Sequence, residues 1–310
     1  MVDDTLLYED SGPAGQPGER DFIFYCDRTY QKRLQEFSCH TAYLPPATLF
    51  DRPGNPREEY VADISYVGSL PPVQGILHTL SPVCIEILER VERQRKQNST
   101  SSFRTIFDSL ELAIEQRKFI EEAAAAFCRT TNKGFTQPDS ELEYFLYNTA
   151  TYFKRLKTVE AFLPLGIRIF GPPSWRDALA PEYRSRYGGF IDFQNLADCY
   201  ASSKICLNVH SHQCPTCLNV RDFDVPMAGS VALGDWVDDV ERGLLEPDKE
   251  MLIYRTVEEG VEMARRYLND RDAWEAIRSR GQERVLREHT YERRAETVLA
   301  AIAKHLSHSS

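Results

Sequence analysis

Short apolar runs that alternate with helix-compatible stretches constrain this chain more than any other feature. ADISYVGS (62–69), GIRIFG (166–171), KICLNVH (204–210), SVALGD (230–235) and MLIYR (251–255) read as strands. Parallel neighbours need a crossover long enough to hold a helix, so strands that alternate with helices argue for a parallel α/β sheet. ADISYVGS ends in a Gly-Ser turn, the form taken by a first strand whose following backbone must approach a ligand closely. One long stretch interrupts the alternation. From 75 to about 160 the runs CIEILERVE, IFDSLELAIEQRKFIEEAAAAF and SELEYFLYNTATYFKRLKTVEAFL carry helical periodicity, with breaks at QNSTSS and NKGFTQPDS.

Upstream, residues 1–20 read as a loosely ordered lead-in. DFIFYC (21–26) reads as a buried strand, and Tyr30, Leu34 and Phe37 follow at helical spacing. A short strand, TAYLP, precedes Pro45–Glu59, where Pro, Gly and Asn occur at linker density, so a boundary is expected near residue 60. At the other end Thr256 and Glu259 have capping-box spacing. A last helix carries Ala295, Val298, Leu299, Ile302 and Leu306 on one stripe.

With 42% hydrophobic and 27% charged residues over 310, the chain reads as a globular protein, neither fibrous nor disordered. A net charge of −10 disfavours a nucleic-acid binder, which needs a basic surface, yet leaves room for a compact basic pocket for one small anion. No run of about 18 apolar residues suggests a membrane span, and the N-terminus MVDDTLLYEDSG lacks a signal-like pattern, so a cytoplasmic location is expected. The eight cysteines then read as reduced thiols, and Asn98-Ser99-Thr100 as a polar loop.

Chemistry concentrates in LNVRDFDVPMAGSVALGDW (218–236). Asp224, ionised at an ordinary carboxyl pKa near 3.9, stands before a short helical piece stopped by Gly229. At the carboxyl end of a parallel sheet such a carboxylate can accept bonds from neighbouring ribose hydroxyls. Arg221 offers a planar cation to a diphosphate beside a helix N-terminus. The alternative is that Asp224 caps the helix while Arg221 pairs with Asp222 or Asp224 at the surface.

The order FIFYCDRTYQKRLQEF, YLPPATLFD, EEYVADISYVGS, GIRIFG, KICLNV, NVRDFDVPMAG, LLEPDKEMLIYR and GQERVLREHTYERRAETVL resembles the CgeB-like (spore maturation protein) glycosyltransferase family. The resemblance implies a GT-B architecture: a Rossmann-like donor domain built on a parallel sheet, facing an acceptor domain. Its implied boundaries are a reduced N-terminal part over 1–60, a donor domain over 61–285 with a helical insertion at about 75–160, and a C-terminal helix over 286–310. The implied reaction moves a hexose-like group from a nucleotide-diphosphate sugar to an unidentified glycan, protein or small-molecule acceptor. No cofactor, metal or nucleic acid is expected. Matched position by position, the resemblance implies a donor site at Gly68, Ser69, Gly171, Arg221, Phe223, Asp224 and Gly229, with Asp224 on the ribose; Asn208, His210 and Asn219 complete the expected donor-binding set. Thr216 departs from the pattern, standing where many retaining GT-B enzymes carry a second glutamate. Because the N-terminal part is short, the competing expectation is a non-catalytic nucleotide-sugar-binding or partner-binding module, its acceptor side lost or completed by a partner chain.

HSHQCPTC (210–217) offers His210, His212, Cys214 and Cys217 as zinc ligands, or Cys214 and Cys217 as a redox pair. Eight residues can hardly wrap a tetrahedral ion, so the segment is carried forward as a loop at the mouth of the donor cleft. His210 ends its strand where a neutral imidazole could donate to a phosphate or sugar hydroxyl, and is the candidate catalytic residue; a backbone-bonded His is the alternative. His289 reads as packing, and Lys154, Arg155 and Lys157 read as a solvated helix face.

Overall fold

The apolar runs form a parallel sheet whose strand order reverses at its middle. The computed structural model describes residues 18, 21–37, 39–99, 101–132 and 138–308; apart from Gly18, the lead-in over 1–20 lies outside them. The strands are β1 (Phe22–Tyr25), β2 (His40–Tyr43), β3 (Ala62–Val67), β4 (Arg168–Phe170), β5 (Tyr187–Gly189), β6 (Ser203–Asn208), β7 (Val231–Asp235) and β8 (Leu252–Tyr254). The helices are α1 (Arg28–Leu34), α2 (Gln74–Leu77), α3 (Pro82–Gln97), α4 (Phe103–Asp108), α5 (Ile114–Thr130), α6 (Pro138–Phe162), α7 (Ser174–Ala178), α8 (Phe193–Ala201), α9 (Val220–Ala228), α10 (Val257–Asn269), α11 (Arg271–Glu288) and α12 (Tyr291–His308).

β1 and β2 pair alone, while the other strands form one sheet in the order β5-β4-β3-β6-β7-β8, every neighbouring pair parallel. The chain starts at β3, winds outward through β4 and β5, then returns to the other side of β3 with β6. That is the doubly wound order of nucleotide-binding sheets, and its direction reverses between β3 and β6. The middle strands are buried: Ile64, Tyr66, Ile205, Leu207, Val231 and Leu233 are at most 2% exposed. β5 escapes sequence reading because RYGG holds no apolar run; Gly189 takes φ +100 there.

The chain divides into two compact units. One comprises Met1–Asp21, Arg33–His40 and Pro71–Lys154. Its described residues are mainly helical, around a core of Leu88, Phe103, Phe107, Ile120, Phe127 and Phe145. Ser102 caps α4 by accepting from Thr105 N, and the Glu143 carboxylate accepts from Phe103 N and Arg104 N at the same end. The break expected at NKGFTQPDS falls largely on residues 133–137, outside the described residues.

The second unit comprises Phe22–Lys32, Thr41–Leu70 and Arg155–Ser310, and holds the whole six-stranded sheet. Tyr200, Leu218, Phe223, Met227, Leu245, Met251 and Val285 pack in its core. Residues 45–59 have the composition of a linker but form a strap bonded along this unit. Arg294 donates to the carbonyls of Pro45 and Pro46, Thr48 N donates to His289 O, and Asn55 N donates to Asp198. A Cβ on Gly54 would stand 2.1 Å from Ala197 O, so the strap lies against α8 only because residue 54 has no side chain.

Candidate functional site

Ligands of doubly wound sheets bind beyond the carboxyl ends of the strands, at the point where strand order reverses. Tyr66 of β3 is in register with Leu207 of β6, so Gly68-Ser69 and Val209-His210 leave the sheet side by side there. Gly68 N donates to Phe170 O at 3.0 Å, and Trp175 Nε1 donates to Gly68 O at 2.8 Å. A Cβ on Gly171 would meet Gly68 O at 2.3 Å, and one on Gly68 would meet Tyr66 Oη at 2.7 Å. The close approach of these turns therefore requires glycine at 171, while Gly68 leaves room for the buried Tyr66 ring. Ser69 is exposed, and its carbonyl and hydroxyl both accept from Arg155 Nη1, at 2.8 and 3.0 Å. Arg155 is thus buried against the turn rather than on the solvated face expected for it, a tertiary contact that helical spacing alone cannot reveal.

Across the reversal, helix α9 begins with a reciprocal cap. The Asn219 side chain accepts from Arg221 N at 2.8 Å, while Asp222 Oδ2 accepts from Asn219 N at 2.8 Å. Asn208, at the end of β6, donates to Asp222 Oδ1 at 2.9 Å and to Asn219 Oδ1 at 3.1 Å. Its own Oδ1 accepts from Arg221 Nη1 at 3.0 Å. Asn208, Asn219 and Arg221 thus converge at the carboxyl edge. Arg221 is held by Asn208 through one nitrogen, instead of pairing with Asp222 or Asp224.

His210 is the centre of this network and is fully buried. Nδ1 lies 3.0 Å from Asp235 Oδ1 and Nε2 lies 2.8 Å from Asp222 Oδ2. Burial alone would lower its pKa, but the charges of Asp222 and Asp235 override that and raise it to about 10. The ring is an imidazolium clamped at both nitrogens. That geometry corrects the expectation of a neutral imidazole turned toward a donor phosphate or sugar: neither nitrogen points outward. Gly234 is part of the arrangement, because a Cβ there would stand 3.2 Å from His210 Cε1.

The remaining expected donor contacts lie elsewhere. Asp224 is 2% exposed, and its Oδ1 accepts from Thr48 Oγ1 at 2.9 Å and Leu49 N at 2.7 Å, tying α9 to the strap. Burial pushes its carboxyl up to about 6, against the opposing bonds from Leu49 and Thr48 and the charge of Arg221. Phe223 is fully buried with its ring 4.8 Å from that of His289. Gly229, at φ +103, ends α9 just before β7 begins, at the amino edge of the sheet and away from the reversal point.

A grouping that the sequence did not disclose stands on the loop after β6. The sulfurs of Cys26, Cys214 and Cys217 lie within 4.8 Å of one another. Asp27 Oδ2 accepts from Thr216 N at 2.8 Å, and Thr216 Oγ1 accepts from Arg28 N at 3.0 Å, so the loop is pinned to the start of α1. Hydrogen bonds from Cys214 and Cys217 hold the Cys26 thiol well below the usual thiol range, against the opposing effect of burial. The spacing of Cys214 and Cys217 was legible, but Cys26 lies 188 positions away and only the fold delivers it.

Residues 151–300 match a family model described as glycosyl transferase-like. The chain is also similar to the solved structure of sucrose-phosphate synthase from Thermosynechococcus elongatus, with 12% identity and a TM-score of 0.42 over 94% of this chain. It spans 59% of that structure's length. No curated protein sequence matches it.

Proposed function

We propose that the crevice between the ends of β3 and β6 binds a nucleotide-diphosphate sugar, and that the protein transfers its hexose-like group as a glycosyltransferase of GT-B type. The observation that carries this reading is the strand-order reversal flanked by the Gly68-Ser69 turn on one side and the Asn208, Asn219 and Arg221 network on the other. The glycosyl transferase-like match over residues 151–300 supports it, since that span includes both β6 and α9. The Gly68-Ser69 backbone and the Ser69 hydroxyl face the diphosphate, and Arg221 supplies the cation that steadies the leaving group. The bond from the anomeric carbon to the β-phosphate oxygen breaks, an acceptor hydroxyl oxygen takes its place, and the hydroxyl proton leaves to a base.

His210 is not that base, because both of its nitrogens are already engaged. The same observation favours a second reading, a donor-binding module without turnover. Calorimetric titration with UDP- and GDP-sugars, followed by an assay of nucleotide release, separates the two. Saturable binding with release supports transfer, and binding without release supports the module. Arg221→Gln is expected to weaken binding by about 1.5–3 kcal/mol, roughly 10- to 100-fold. Absence of binding by every nucleotide tested sinks both readings.

A further inference from the structure

The thiols of Cys26, Cys214 and Cys217 form a cluster that the donor crevice does not use. None of the three forms a disulfide; Cys217 is buried and the other two are half-buried. They come from segments far apart in sequence, the end of β1 and the loop between β6 and α9. Bonds made by neighbours of the cysteines fix the segments, beside a 3.9 Å contact between Tyr30 Oη and Cys214 Sγ. Asp27 accepts from Thr216 N, Thr216 accepts from Arg28 N, and Tyr30 Oη donates to Gln213 O at 3.3 Å. Ligands oriented in this way by their surroundings are the usual construction of a metal centre.

We infer that Cys26, Cys214 and Cys217 bind one thiophilic divalent cation, zinc, as three thiolates, with a single nitrogen or oxygen donor completing a tetrahedron. At a Zn–S bond of about 2.3 Å, tetrahedral geometry places neighbouring sulfurs roughly 3.8 Å apart. Sulfurs within 4.8 Å of one another reach that spacing by small side-chain rotations. A disulfide would employ only two of the sulfurs and leave the third beside it. The contrast with the other cysteines supports the assignment: Cys206, for example, is bonded in the core to the Ser65 and Ser230 hydroxyls, each 3.4 Å from its sulfur. Ligand pairs of structural zinc sites come from separated segments, and here the Cys-x-x-Cys pair closes on Cys26. The cation would latch the loop after β6, which leads from His210 into α9, to the start of α1. Nothing in this inference depends on the identity of the ligand in the crevice.

The test uses the whole chain, purified, reduced and stripped of metal, then titrated with Co²⁺ and Zn²⁺. One equivalent is expected to bind, with a thiolate-to-cobalt charge-transfer band in the near ultraviolet. X-ray absorption of the zinc form is expected to give three sulfur ligands and one nitrogen or oxygen ligand. Changes in partners behind metal ligands cost about 10- to 100-fold in affinity, so Cys26→Ser is expected to cost more than about 100-fold and Asp27→Asn to fall within that range. Cys39→Ser is expected to leave uptake unchanged. No uptake by the reduced protein at micromolar metal overturns the inference, as does a shell of fewer than three sulfurs. Both readouts use the wild-type chain, so a variant that fails to fold does not protect it.

Discussion

Two histidines of the sheet-bearing unit, His210 and His289, are almost equally buried, at 1% and 3% exposure, yet their pKa values are displaced in opposite directions. His210 stands between two carboxylates and is held as an imidazolium, its pKa raised to about 10. His289 donates from Nε2 to Leu244 O at 2.7 Å and accepts at Nδ1 from Arg294 at 2.8 Å. Burial, reinforced by the Arg294 charge, lowers its pKa to about 4. Burial disfavours the charge in both; the partners decide the outcome. His210 serves as the cation that lets Asp222 and Asp235 converge at the carboxyl edge. His289 is a neutral spacer that joins Leu244, Arg294 and the Phe223 ring.

Removing each ring is the most forceful way to break the comparison. His210→Ala leaves two carboxylates facing one another without their cation, and the loss of one partner from a buried pair costs about 3–5 kcal/mol. His289→Ala leaves Leu244 O without its donor, which costs about 1–3 kcal/mol. Denaturant unfolding at neutral pH checks the order. A His289 variant at least as unstable as the His210 variant would show that the carboxylates reach solvent and that the clamp is not charged.

The pH dependence sharpens the same comparison. For His210 the folded pKa lies above the unfolded value near 6.5, so its stabilisation is complete below pH 6.5 and is lost as pH rises toward about 10. For His289 the folded pKa lies below the unfolded value, so its stabilisation is complete above pH 6.5 and is lost as pH falls toward about 4. Stability followed from pH 4 to 10 is therefore expected to lose part of its alkaline decline in the His210 variant and part of its acid decline in the His289 variant. Parallel curves for the two variants would remove the assigned charge states.

What sequence reading could see follows from the range of the interactions. The strands of β3, β4, β6, β7 and β8 are written in local apolar runs, but the cap of α9 is Asn219 with its third neighbour Asp222, and Asp224, the cap that the sequence offered, lies inside the helix. Packing of His289 was legible. The state of His210 was not, because Asp235 lies 25 positions away and reaches it only once β7 pairs with β6. Arg155 read as solvated because its partner, Ser69, is 86 positions distant. The strap over 45–59 read as linker because most of its bonds run to distant groups, such as Asp198, Ala228 O and His289 O. Cys26 joins the CPTC loop by the same kind of long-range closure.

Asp224 offers the finest test, because it is a buried acid of the same unit with a different solution to the same problem. Its bonds from Thr48 and Leu49 come from neutral donors, and burial still raises its pKa from 3.8 to about 6. A raised carboxyl pKa means that the folded protein holds the proton more tightly than the unfolded chain, so stability falls as pH rises between those two values. Asp224→Asn keeps an acceptor oxygen for Leu49 N and the Thr48 hydroxyl while deleting the charge. It is expected to raise stability at pH 7 by about 1 kcal/mol, the new amide group offsetting part of the gain. The advantage should vanish near pH 4, where the native side chain is largely protonated in the fold. The same variant reports on the ribose contact that the resemblance implies for Asp224. A stabilised variant with unchanged nucleotide affinity assigns the carboxylate to the junction of α9 and the strap, whereas a stabilised variant with weakened affinity assigns it to the donor.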